Sequence, residues 1–264
     1  MILTLRAVSS GRKSSENGGE KTLKIVAKTD IGRKRKSNQD SYAAGELPGG
    51  VAWAVVCDGM GGAAGGNVAS SDAVKIISER ITSSYRPAMS PISIKNMLVS
   101  AITAANISIY DMSRANKELE GMGTTVVCAL VTDEVSYIAH AGDSRAYAVS
   151  GNKIVQLTKD HSIVQELVDV GSITKDEAKN HPRKNIITRA LGVEPDIRID
   201  YCEYDISDND ILLLCTDGLT NFVDDEEFVK IIGENTYYEI AEKMVAAANN
   251  NGGADNITVV AIAY

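Results

Sequence analysis

The most apolar runs of this sequence repeatedly meet an aspartate at one end. Val51–Cys57 (VAWAVVC) runs into Asp58-Gly59, Leu212–Cys215 into Thr216-Asp217-Gly218, and Ala139-His140-Ala141 into Gly142-Asp143, while Ile257–Ala263 is preceded by Asp255-Asn256. Taken singly, an Asp-Gly step reads as a turn, because both residues tolerate tight backbone geometry. Four carboxylates at strand ends constrain the fold further. Charged groups beside a buried core are costly unless paired or bound to a cation. Oxygen-only ligands favour hard cations such as Mg²⁺ or Mn²⁺ over Zn²⁺, and no His or Cys cluster has zinc spacing.

Periodicity supplies the scaffold. Leu23, Ile25 and Ala27 alternate with polar residues as in a half-buried strand, and the unbroken run Val51–Cys57 reads as a strand buried on both faces. Apolar residues at helical spacing predict helices over 67–83 and 92–117. Strands are expected over 124–131, 135–141, 145–149 and 154–157, joined by connections short enough to read as one antiparallel meander. A mixed segment, 161–191, holds two short helical turns, the second opened by the capping-box pair Thr174 and Glu177. Strands follow at 197–204 and 210–215, helices at 225–232 and 238–248, and a final strand at 257–263. This order lacks the βαβ alternation of a parallel sheet. It predicts an α+β fold of antiparallel sheets flanked by helix pairs. Residues 1–20, with the Ser- and Gly-rich stretch Ser9–Glu20, read as a short strand and flexible tail before one globular domain at 21–264.

The charge balance excludes some functions. With 27 Lys+Arg against 35 Asp+Glu the net charge is −8, which argues against a surface devoted to nucleic acid. Cys57, Cys128, Cys202 and Cys215 form no C-x-x-C pair and lie in or beside apolar runs, as buried free thiols do. No run approaches the ~18 consecutive apolar residues of a membrane span. The expectation is a cytoplasmic monomer.

Two stretches carry rival readings. The basic run Arg33–Lys36 can be a solvated loop, yet Arg35 beside a divalent site would suit a phosphate dianion through its planar fork. Gly59-Met60-Gly61-Gly62-Ala63-Ala64 matches the dinucleotide pattern G-x-G-x-x-A, with Glu79 downstream. Asp58 would however sit against the pyrophosphate, and no strand ending in an acid follows the first helix.

Seven segments in order, Thr29–Asp40 (TDIGRKRKSNQD), Asp58–Gly62 (DGMGG), Met122–Thr125 (MGTT), Gly142–Arg145 (GDSR), Asp160–Ser162 (DHS), Thr216–Leu219 (TDGL) and Asp255–Thr258 (DNIT), resemble the metal-dependent protein phosphatase family of type 2C, in its bacterial form. The resemblance runs from about Lys21 to Tyr264. It implies an αββα four-layer sandwich and a protein serine/threonine phosphatase. Phosphoserine or phosphothreonine would be hydrolysed by a hydroxide bridging two Mn²⁺ or Mg²⁺ ions, without a phosphoenzyme. By the same resemblance Asp58 bridges the two ions, the Gly59 carbonyl joins one of them, and Asp217 and Asp255 join the other. Asp40 orients metal-bound waters, Arg35 holds the substrate phosphate, Asp143 helps bind a third ion, and Asn256 supports that shell.

There are departures. Met60 stands where eukaryotic relatives often carry His, so the leaving-group proton donor is unassigned, and Gln39 stands where many relatives have Glu. His161 is read as organising its turn, and His140 and His181 as structural or exposed. The segment at about 162–191 resembles the family's variable flap over the site. The implied partners are phosphorylated proteins, including a Ser/Thr kinase. A binding module that keeps the fold without catalysis is the alternative, and the presence of Arg35, Asp58, Asp217 and Asp255 weighs against it.

Overall fold

The computed structural model describes residues 3–5 and 23–263. Two six-stranded antiparallel assemblies lie face to face. The first has the order β1 (Leu3–Leu5), β2 (Lys24–Asp30), β12 (Ile257–Ala263), β11 (Ile211–Cys215), β8 (Arg145–Ser150) and β9 (Lys153–Gln156). The second has the order β10 (Asp200–Asp205), β7 (Val135–Ala141), β6 (Val126–Val131), β4 (Val51–Met60) and β3 (Asp40–Leu47), with the two-residue β5 (Gly123–Thr124) paired to the end of β4. The expected connection at Ser9–Glu20 lies outside the described residues.

Period-two alternation separates the layers. In β4, Trp53, Val55 and Cys57 pack with the helices α1 (Gly62–Ser84) and α2 (Pro91–Ala115). Ala52, Ala54 and Val56 of the same strand face the other sheet, among Val127, Ala129, Ile138, Leu212, Leu214, Val260 and Ile262. On the far side Leu213, Cys215, Val259 and Ala261 pack under α6 (Asp225–Glu234) and α7 (Ile240–Asn250). The layers therefore run helix, sheet, sheet, helix, as expected. Helix α2 is long and apolar enough by composition to cross a bilayer. Its apolar stripe, Ile94, Leu98, Ala101, Ile102, Ala105 and Ile109, is instead buried in the core on the helical side of the second sheet.

The structure corrects the expected organisation in four places. The meander is two hairpins in different sheets: β6 pairs with β7 and β8 with β9, but β7 and β8 do not pair. Short connections predict antiparallel pairing only when the chain stays in one sheet; here Gly142–Ser144 carries it from one to the other. Strand β3 gave no sequence signal, because it is an edge strand whose middle residues are all half-buried. The strand expected over 197–204 is shifted to Asp200–Asp205. Helix α1 begins at Gly62 rather than near Asn67. Three glycines in its first turns mask it in a propensity reading, but a Cβ on Gly59 would lie 2.0 Å from the Gly66 carbonyl oxygen, so strand end and helix start meet backbone to backbone.

Candidate active site

The strand ends beside Asp40, Asp58, Asp217 and Asp255 meet at one rim of the sandwich. Asp40 opens β3 directly opposite Asp58 near the end of β4. β11 ends at Cys215, opposite Arg145 at the start of β8, and β12 begins at Ile257, opposite Asp30 at the end of β2. Asp217, at the start of the short helix α5 (Asp217–Thr220), and Asp255 therefore project from neighbouring turns. Gly218 lets those turns touch, since a Cβ there would lie 1.8 Å from the Asn256 carbonyl oxygen. The crossing between sheets puts Asp143 at the same rim.

The carboxylates perturb one another. Burial, and then repulsion from Asp217 and Asp255, push Asp40 up to about 7, against hydrogen bonds from Thr258 and Thr216. Burial, Asp217 and Asp160 push Asp143 up to about 8. Asp58 is driven well above the carboxylate range by burial, Asp40 and Asp217. Asp217 is raised by burial and Asp255, and is held back by a hydrogen bond with Asp58. Without positive charge the cluster thus holds protons near neutral pH.

The residues fit a divalent cation. Asp40 Oδ1 and Asp217 Oδ1 are buried without a hydrogen-bond partner, and buried carboxylate oxygens are costly in that state. Among the described residues no three His, Cys, Asp or Glu side chains close around one point. An ion here would keep several waters beside one or two carboxylates, the habit of Mg²⁺ rather than Zn²⁺.

Arg35 stands at the exposed mouth. Its Nη2 donates to Asp255 Oδ2 at 2.7 Å, and that hydrogen bond raises its pKa further. Asn256 closes the loop that carries it: Oδ1 accepts from the Gln39 amide at 2.8 Å, and Nδ2 donates to the Ile31 and Ser37 carbonyls at 2.9 and 3.0 Å. Gln39 donates its side-chain amide to the Gly62 carbonyl at 2.9 Å. His161 behaves as its turn requires. Its Nδ1 accepts from the Gly142 amide at 3.1 Å, it stacks on His140 at 4.8 Å, and burial lowers its pKa to about 4, so the ring is neutral.

Several residues at the rim carried no separate expectation. Asn221 Nδ2 donates to Asp217 Oδ2 at 2.9 Å, and the Asp58 amide donates to Thr125 Oγ1 at 2.9 Å. Arg145 grips Asp160 with Nε and Nη2 at 2.8 and 2.7 Å. Thr29, Asn38, Thr216 and Thr258 form hydrogen bonds that lead to Asp40. All but Asn221 lie inside the seven segments singled out from sequence, so their spacing marked them but their contacts needed the fold.

Residues 31–251 match the sequence profile described as protein phosphatase 2C. The chain belongs to the protein phosphatase 2C family. It is 40% identical over 238 residues to the serine/threonine phosphatase stp of Listeria monocytogenes serotype 4b, covering 89% of this chain and 93% of that one. The solved serine/threonine phosphatase of S. agalactiae superposes with a TM-score of 0.85 at 33% identity, covering 91% of this chain and 99% of the other. The catalytic domain of the serine/threonine protein phosphatase PstP, solved in complex with two manganese ions, superposes with a TM-score of 0.79 at 32% identity, covering 91% and 97%. In this structure Arg35, Asp40, Asp58, Gly59, Asp143, Asp217, Asp255 and Asn256 all lie at one rim.

Proposed function

We propose that this enzyme hydrolyses phosphoserine and phosphothreonine in proteins by direct attack of a hydroxide bridging two Mn²⁺ or Mg²⁺ ions. The observation that carries the reading is the cluster of Asp58, Asp217, Asp255 and Asp40, two of them with orphaned buried oxygens, facing Arg35. Manganese in the related PstP domain supports it. Two such ions, when bound, lower the pKa of a shared water and neutralise phosphoryl charge.

The chain's own residues then have distinct tasks. Asp58, the Gly59 carbonyl, Asp217 and Asp255 would hold the ions, and Asp143 would help bind a third. Asp40 positions water through Oδ1. Arg35 keeps donors free beyond its bond to Asp255 and presents them to the phosphate dianion, binding the developing charge in the transition state. Asn256 and Asn221 hold their aspartates in place. The segment at about 162–191, with helices α3 (Ile163–Asp169) and α4 (Lys175–Lys179), is closed at its base by the pairing of Ser162 with Ile187 and returns to the core where Leu191 pairs with Thr124. It forms the flap that shapes substrate choice. The enzyme acts in the cytoplasm as a monomer and opposes a Ser/Thr kinase of the same cell.

The test is phosphate release from a phosphothreonine peptide by metal-stripped protein with Mn²⁺, Mg²⁺, Ca²⁺ or nothing added. Release with Mn²⁺ or Mg²⁺ alone is expected. Metal binding without release from peptide or aryl phosphate would instead identify a binding module.

A further inference from the structure

The geometry points to Thr29, Asn38, Thr216 and Thr258 as a directed hydrogen-bond relay that saturates one oxygen of Asp40 and leaves the other as its single working oxygen. This rests on the proposed function, since Asp40 is there the residue that positions water.

With Asp40 ionised, as it is beside a bound cation, the direction of the relay follows from donors and acceptors. The Asp40 backbone amide can only donate, and it does so to Asn38 Oδ1 at 3.1 Å. That fixes the Asn38 amide, whose Nδ2 donates to Thr29 Oγ1 at 2.8 Å. Thr29 Oγ1 therefore accepts, and its own proton is free for Thr258 Oγ1 at 2.8 Å, its cross-strand partner on β12. Thr258 in turn donates to Asp40 Oδ2 at 2.7 Å. On the other side Thr216 Oγ1 accepts from the Thr258 amide at 3.0 Å, so its proton also goes to Asp40 Oδ2, at 2.9 Å. Each hydroxyl has one proton, and each is committed toward the carboxylate.

Asp40 Oδ2 thus receives two O–H donors, while Oδ1 is buried with none. Thr216 and Thr258 are fully buried, and Asp40 is 7% exposed, so water does not compete along the inner links. The ring from Asp40 through Asn38, Thr29 and Thr258 back to Asp40 ties the two sheets together: β3 belongs to one, β2 and β12 to the other. Thr29 is a positioning residue two hydrogen bonds away from the oxygen it controls.

The experiment compares the wild-type chain with Thr29→Val, Thr29→Ser and Asn38→Asp. Each protein is stripped of metal, titrated with Mn²⁺ by calorimetry, melted, and assayed for kcat and KM on a phosphothreonine peptide at saturating Mn²⁺. Valine keeps the shape at position 29 and removes the donor; aspartate at 38 keeps the shape and turns the Nδ2 donor into an acceptor, reversing the relay. Both are expected to lose about 10-fold or more in Mn²⁺ affinity or kcat, with KM within about twofold, as orienting partners of a metal site do. Thr29→Ser is expected to recover the loss. The inference is overturned if Thr29→Val matches wild type in both affinity and kcat, if Thr29→Ser loses as much as the valine variant, or if Asn38→Asp is unaffected. Should Thr29→Val melt before assay, Asn38→Asp decides. A wild type that releases no phosphate would sink the functional reading, while the Mn²⁺ affinities would still test the relay.

Discussion

The space between the two sheets and the rim of the same sheets are built on opposite principles. Between the sheets Ala52, Ala54, Val56, Ala129, Leu212, Leu214 and Val260 are buried without a charge among them. At the rim, burial first and repulsion between neighbouring carboxylates second keep protons on Asp40 and Asp143 near neutral pH. Burying apolar surface stabilises the chain by about 25 cal/mol per Å², whereas the rim costs stability until positive charge arrives. The interior keeps the strand ends in register, so the rim can be electrostatically unfavourable and still be held in one geometry.

The largest effect is expected at Asp217. Asp217→Asn is expected to lower kcat on a phosphothreonine peptide by ~10³-fold or more, in the range of losing a main electrostatic contributor, while the metal-free melting temperature does not fall. A lowered melting temperature would mean that the rim carries structure as well as chemistry. The converse change is Leu212→Ala, fully buried between the sheets. It should cost about 2–5 kcal/mol in urea unfolding and leave kcat per folded molecule unaltered.

A pH series then sharpens the contrast. Asp40 and Asp143 have folded pKa values of about 7 and 8 against about 3.8 unfolded, so the folded state binds more protons and loses stability as pH rises through that window. Metal-free protein should be on the order of 1–3 kcal/mol less stable at pH 8.5 than at pH 6.5, and saturating Mn²⁺ should abolish the trend. His161, lowered to about 4, acts with the opposite sign but below that range. A flat metal-free profile would show that the carboxylates are not mutually destabilising. The smallest effect on metal-free stability is expected for Asp58→Asn: burial and the neighbouring carboxylates already hold Asp58 protonated, so asparagine replaces a neutral group and stability stays within about 1 kcal/mol of wild type, while calorimetry shows Mn²⁺ affinity lost.

Strands β7 and β12 and the buried run in β4 were readable residue by residue, because unbroken or alternating apolar patterns record burial directly. Helix α2 was equally plain. What failed was local in a different sense. β3 is a strand because β4 offers it an edge, and its own residues Ser41–Glu46 show no period. The glycines that open α1 lower helix propensity, yet they are there because Gly59 must touch that turn. The β7–β8 connection looked like a hairpin because three residues suffice for one, and nothing within Gly142–Ser144 says which sheet the next strand will join.

The apolar periods, the aspartates at strand ends and the ordered segments of the type 2C family are legible in the chain alone, because they are properties of short stretches and their spacing. That residues from 29 to 258 meet at Asp40, that Arg35 leans on Asp255, and which carboxylate oxygens lack a partner emerge from the folded arrangement. The physical reason is that hydrogen-bond direction and carboxylate repulsion depend on distances of a few ångströms between segments far apart in the chain, and those distances are set by how two sheets register on a common core.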